Sequence, residues 1–211
     1  MKTKEIKTYK ENLLLSKKQR DILVGLILGD GHLETQNKGR TYRLRIEHCP
    51  KQKEYFDWIY ESFKEWINSP PIIRKRISFG KNIETYYFHT YSSGRFRFYG
   101  QQFYPNGKKI IPKIIEKIIT PLSLAVWFMD AGSIKSKQHK TFLIHTYGYS
   151  KNDLELIKKV LEKKFNIKVG LQKQYEEWRL YIYSESAENF KNLISPFILP
   201  SMQYKLGNNN A

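Results

Sequence analysis

The chain has 211 residues and carries 37 Lys plus Arg against 20 Asp plus Glu, a formal net charge of +17. Its single cysteine, Cys49, excludes an intrachain disulfide and a Cys-rich zinc site, and five scattered histidines leave little for a His-based metal site. No apolar run reaches the roughly 18 residues needed to cross a bilayer, and Met1-Lys2-Thr3-Lys4-Glu5 has neither the apolar stretch of a secretory signal nor the arginines of a transit peptide. With 40% hydrophobic and 15% aromatic residues the chain is expected to fold, and its charge points to a polyanionic partner, nucleic acid ahead of an anionic membrane.

Residues 1–15 read as a polar lead-in. Ser16 with Gln19 three residues later has capping-box form and opens a predicted helix through Asp30. That helix is apolar on nearly all sides, at Ile22, Leu23, Val24, Leu26, Ile27 and Leu28, which predicts burial. Gly25 and Gly29 lie four apart on one face, where another helix backbone can come close, and Gly31 ends the helix. Tyr42, Leu44 and Ile46 alternate with Arg43, Arg45 and Glu47, predicting a strand over 41–49 with a charged face. A helix is predicted over 51–67, with Phe56, Ile59, Tyr60, Phe63 and Ile67 at helical spacing, stopped by Ser69-Pro70-Pro71. Strands over 72–79 and 84–91 follow, joined by Gly80-Lys81-Asn82. A helix over 92–103 is broken by Pro105-Asn106-Gly107, ahead of Lys108-Lys109-Ile110-Ile111-Pro112.

The pattern then returns. Thr120-Pro121 starts an apolar helix running from Leu122 to Asp130 and ending at Gly132. A strand over 141–147, a Ser150-capped helix with Leu154, Ile157, Leu161 and Phe165, strands over 168–174 and 178–183, and a helix over 184–194 complete it. Leu199 to Leu206 and a polar tail, 207–211, close the chain. Asp30 and Ala131 are 101 residues apart, Pro50 and Ser150 100, and Lys109 and Lys205 96. Each half reads helix, strand, helix, strand, strand, helix, then a lysine near a proline. Such a repeat predicts pseudo-twofold halves, 16–119 and 120–206, meeting through their apolar helices.

Leu23-Val24-Gly25-Leu26-Ile27-Leu28-Gly29-Asp30-Gly31 and Leu124-Ala125-Val126-Trp127-Phe128-Met129-Asp130-Ala131-Gly132 both resemble the LAGLIDADG nonapeptide. Two copies in register with a whole-chain repeat make the sequence similar, over residues 15–206, to the single-chain, two-motif LAGLIDADG homing endonucleases. The resemblance implies an α+β fold of two pseudo-symmetric αββαββα-like halves. These pack through the motif helices, and the antiparallel sheets form a DNA-binding saddle. It implies metal-dependent phosphodiester hydrolysis of double-stranded DNA at a long, asymmetric intron-insertion site. The metal is Mg2+ or Mn2+, with Ca2+ as a non-activating substitute. A monomer and an organellar location, mitochondrion or chloroplast, are further implications, as is intron RNA as the partner of maturase relatives.

By motif matching, Asp30 is the acid of the first half, and Lys109 and Lys205 are the paired active-site lysines. Asp30, Gly29 and Asp130 are the candidate metal ligands. Position eight of the second motif is Ala131, where the family carries an acid, so one carboxylate is missing. Asp130 is adjacent, but one residue along a helix turns about 100° away. Three explanations stand: a deliberate change that traps uncut DNA, a natural loss leaving nicking, binding or splicing work, or replacement by Asp130. Motif position six, Leu28 and Met129, is apolar here, to which no loss is attached. Among DNA-contact candidates, Arg43, Arg45, Arg74, Arg76 and Arg179 suit base edges, as arginine pairs with guanine. Lys75, Lys81, Lys140 and Lys173 suit phosphates. Tyr86, Phe88, Phe96 and Trp178 read as core before base contacts.

Overall fold

The computed structural model describes residues 3–78, 80–136, 138 and 141–207. Its elements run α1 (Thr3–Asn12), α2 (Lys17–Leu28), β1 (His32–Glu34), β2 (Arg43–His48), α3 (Lys53–Ser62), β3 (Ile72–Ser78), β4 (Lys81–His89), α4 (Arg97–Phe103), α5 (Ile115–Ile118), α6 (Pro121–Ala131), β5 (Gly132–Ser136), β6 (Thr141–His145), α7 (Lys151–Phe165), β7 (Val169–Gln174), β8 (Glu177–Ile182) and α8 (Ser184–Ile194). Two four-stranded antiparallel sheets result, ordered β1-β2-β4-β3 and β5-β6-β8-β7, the same order in each repeat. The α+β class and the repeated sheets are as expected. Two compact units form, one from residues up to Arg20 plus Asp30–Gln101, the other from Asp21–Gly29 plus Gln102 onward. Most of α2 therefore clusters with the second unit. Among the described residues, no helix is long and apolar enough to cross a membrane.

Side-chain caps fix where the main helices begin. Ser16 Oγ accepts from the Gln19 amide at 3.1 Å while Gln19 Oε1 accepts from the Ser16 amide at 2.9 Å. Thr120 with Ser123 and Ser150 with Asp153 repeat this box at α6 and α7. Each cap is worth about 1 kcal/mol. Beyond the cap, Ile22, Leu23, Val24, Leu26, Ile27 and Leu28 are all buried, as are Leu124 through Met129.

Several elements differ from the sequence reading. The lead-in carries helix α1, tied down by a hydrogen bond from Tyr9 Oη to the Glu65 carbonyl at 3.0 Å. The helix expected over 51–67 is three pieces: a 3-10 turn at Pro50–Gln52, α3, and a 3-10 turn at Lys64–Trp66. Phe63 leaves helical geometry at φ −121° and ψ 17°. The carbonyl of Ser62 there accepts from Gln19 Nε2 at 2.9 Å, so a tertiary donor replaces the next helical turn. The first turn expected in the helix over 92–103 is instead a 3-10 turn, Gly94–Phe96. Strands β1 and β5 were not read from the residues at all. They begin within four residues of the motif helices, and neither exceeds five residues.

Candidate functional site

The motif helices end within one residue of position seven, α2 at Leu28 and α6 at Ala131, and the last carbonyls of a helix have no intrahelical donors. At α2, Lys109 Nζ donates to the Gly29 carbonyl at 2.6 Å. Tyr149 Oη donates to the Leu28 carbonyl at 3.1 Å, and burial pushes its phenol well above the ordinary range. At α6, Lys205 Nζ donates to the carbonyls of Met129 at 2.5 Å and Asp130 at 3.2 Å. Gly29 and Asp130 hold the same motif position, so the two lysines cap equivalent carbonyls in the two repeats. Cations suit this negative end of the helix dipole. Lys205 is 9% exposed, whereas Lys109 is half-buried.

The carboxylates differ in setting. Asp30 is exposed, immediately after the Lys109-capped carbonyl. Ala131, half-buried, offers no side-chain ligand at the matching place. Asp130 is 8% exposed and lies against the backbone of Gly29, where an added Cβ would sit 2.3 Å from Asp130 Oδ2.

Directly opposed residues in an antiparallel pair share a face. In the first sheet, Arg43 faces Glu34, Arg45 faces His89, Glu47 faces Tyr87, and Arg74 faces Thr85, which places all of them on one side with Arg76 and Lys81. Glu34 binds both Arg43 and Arg45, the latter at 2.7 Å. Burial opposes its ionised form, but the two guanidiniums outweigh this and hold its carboxyl below the usual range. Glu47 accepts from Thr85 Oγ1 at 2.7 Å and pairs with Arg74 at 3.4 Å. Arg74 also stacks on the Tyr87 ring, 3.2 Å from its centroid. Lys75 sits on the opposite side, paired with Glu84, so the structure does not bring it together with Arg74 and Arg76.

In the second sheet, His145, Arg179 and Gln172 form one row, with Glu177 and Gln174 beside it. His145 Nε2 is 3.1 Å from Ser133 Oγ. Burial, with the cations of Arg179 and Lys205, holds its imidazole below the ordinary range. His145 Nδ1, Gln172 Oε1, Gln174 Oε1 and Arg179 Nε are buried without a hydrogen-bond partner. Lys173 opposes Trp178 on the other side, paired with Glu176. Lys140 lies outside the described residues. Of the aromatics, Phe88 and Phe96 are core, while Tyr86 and Trp178 are half-buried.

Sequence reasoning missed Glu34, Tyr87, His145, Gln172 and Gln174. The alternation of Gln172 and Gln174 about Lys173 was a usable signal. Glu34 offered none, because its three-residue strand is too short to show a period.

The sequence model of the LAGLIDADG DNA endonuclease family matches residues 20–190. "Probable intron-encoded endonuclease 1" of Wickerhamomyces canadensis is 35% identical, over 97% of this chain and 90% of its own length. "Cytochrome b mRNA maturase bI2" of Debaryomyces hansenii is 30% identical, over 93% of this chain and 76% of its own. Among solved structures, the homing endonuclease I-WcaI bound to its DNA recognition sequence superposes with a TM-score of 0.91 at 33% identity, over all of this chain and 95% of that one. The nonapeptide pair, the lysine-capped helix ends and the duplicated sheets thus have their explanation in descent: this chain belongs to the LAGLIDADG DNA endonuclease family.

Proposed function

We propose that this protein recognises a double-stranded DNA site through its two charged sheet faces and that Asp30 and Lys109 serve cleavage of one strand, the second acid being absent at Ala131. The observation that carries this is the pair of equivalent lysine caps, one beside a carboxylate and one beside an alanine. Simple DNA binding requires neither a lysine buried at a helix end nor an exposed acid beside its partner.

The Asp30 carboxylate and the Gly29 carbonyl are hard oxygen donors of the kind magnesium and manganese take. A carbonyl has two lone pairs, so the Lys109 bond leaves one of Gly29's for a cation. Such an ion, when bound, supplies activated water and neutralises developing charge on a phosphodiester. Lys109 holds in place the carbonyl of Gly29, the residue that precedes Asp30. In the second repeat the hard-donor set is poorer: Ala131 contributes no side chain, and the Asp130 carboxylate is packed against Gly29. Nicking, rather than double-strand scission, is the expected activity.

The sheet faces divide recognition between them. Glu34 and Glu47 hold Arg43, Arg45 and Arg74 as fixed forks, which suits bidentate pairing with guanine. Gln172, Gln174, Arg179 and His145 share one face of the second sheet, where amide and guanidinium groups suit base edges.

The test compares this chain with Ala131→Asp on supercoiled plasmids carrying candidate intron-insertion sequences, in magnesium. Nicking by the unaltered chain and linearisation by the variant support the reading. Failure of both on every candidate, with tight binding of intron RNA, replaces it by a second one. That reading, a splicing maturase, is favoured by the missing acid at Ala131 and by the maturase relative. An organellar compartment, a monomeric state and magnesium or manganese as the ion belong to the same proposal.

A further inference from the structure

Beyond the last arginines of the first sheet's charged face, the first unit contains a cleft of about 530 Å³ whose walls carry Lys7, Lys10, Arg95 and Arg97 against a single carboxylate, Glu11. Its two guanidiniums are held in place by backbone carbonyls, and one ammonium rests by a ring. Arg95 donates to the Glu11 carbonyl at 3.3 Å, and Arg97 Nε donates to the Arg40 carbonyl at 2.7 Å. Lys10 Nζ lies 4.8 Å from the Tyr91 ring centroid. Backbone carbonyls and a ring take no charge away, so a net excess of three positive charges faces the cleft. The sheet-face arginines are different: Arg43, Arg45 and Arg74 spend much of theirs on Glu34 and Glu47. Among the described residues, none of the four cleft cations is in an ion pair.

The cleft's position says what fills it. Thr41 and Ser92, whose hydroxyls are 2.7 Å apart, close its floor just before β2 and just after β4. That is the end of the first sheet away from the β3–β4 hairpin. Thr41 keeps the alternation of Arg43 and Arg45, so the cleft continues their face beyond the last base-reading side chain. Fixed guanidiniums, flexible ammoniums and hydroxyls are the donor set for phosphate oxygens, with nothing shaped for base edges.

We propose that this cleft grips the phosphodiester backbone of the DNA duplex just outside the segment read by the first sheet, a sequence-independent contact. The inference rests on the DNA-binding reading above.

The experiment titrates the full chain against a labelled 40-base-pair duplex of arbitrary sequence, across a range of KCl, by fluorescence anisotropy. Each lost phosphate contact lowers the slope of log K against log salt by about 0.9. Lys7→Ala and Arg97→Ala are each expected to flatten the slope by about one and to weaken binding several-fold at physiological salt. Lys159→Ala, which removes the same charge from an exposed position on helix α7, should leave the slope unchanged. Lys7 is exposed on a helix, so its variant keeps the test valid if Arg97→Ala misfolds. Equal slopes for wild type, cleft variants and Lys159→Ala overturn the cleft proposal while leaving DNA binding intact. Loss of binding to an intron transcript with duplex binding unaltered also overturns it, assigning the cleft to RNA. No salt-dependent duplex binding by the wild type overturns the DNA reading and the cleft together.

Discussion

Gly29 and Asp130 occupy the seventh place of two nine-residue segments 101 positions apart, and the carboxylate of one lies against the bare Cα of the other. Gly25 and Val126, both at the third place, meet in the same way: a Cβ on Gly25 would lie 2.4 Å from the Ser123 carbonyl oxygen and 2.6 Å from Val126 Cβ. Gly25→Val therefore forces α2 off α6. A loss of about 2 kcal/mol or more is expected, read as a fall in Tm and in the urea midpoint. Gly29→Ala meets a side chain instead, so Gly29→Ala with Asp130→Gly should recover much of the loss. A double-mutant cycle showing strict additivity would contradict the contact.

The two lysines are expected to separate stability from chemistry. Lys205→Met strips donors from two carbonyls at a buried helix end, costing about 1–3 kcal/mol in denaturant titration. It should spare nicking by the first repeat. Lys109→Met lies at a more open place and should cost less stability, while lowering nicking by about 100-fold. Equal effects of both changes on cleavage would refute the division.

His145 makes stability fall in mild acid. Its folded-state pKa is depressed, so the unfolded chain takes up the proton first as pH drops through about 6.5, the ordinary histidine value. The contribution is complete above that pH and declines below it, until the folded form titrates as well. Between pH 7.5 and 5.5, His145→Gln should show a smaller loss of Tm than the wild type.

Glu34→Gln removes a negative charge from the first sheet face and the anchor of two arginines. Affinity for arbitrary duplex should rise, because fewer cations are neutralised. Discrimination against guanine substitutions in the target should fall by roughly tenfold, as an unanchored fork loses its fixed geometry. Competition binding with single-base variants of the site measures both.

The strongest sequence signals were those in which local rules and burial agreed. Ser16 with Gln19, Thr120 with Pro121, and the apolar runs beside them located α2 and α6 to within about two residues. The alternation from Tyr42 to Glu47 gave the face of β2 as well as its existence. Where tertiary donors decide, the signal vanished. Nothing local announces that Gln19, 43 residues earlier, takes the Ser62 carbonyl and shortens α3. The same holds for the site. Motif matching picked out Asp30, Lys109, Lys205 and Ala131, but that the lysines cap carbonyls rather than point outward depends on packing across 80 and 76 residues. Charge alone does not give company: Lys75 shares a sequence run with Arg74 and Arg76 but not their face, as strand alternation requires.

The segment Asp21–Gly29 lies early in the chain and clusters with the later unit. Mixing this protein with a relative is therefore not a matter of joining one half to another. A hybrid crossed over near residue 101 would bring a foreign third and seventh residue against Val126 and Asp130. Small must meet large at each level, so those positions can be exchanged only as matched sets. The two motif helices are one heritable part, written in two places.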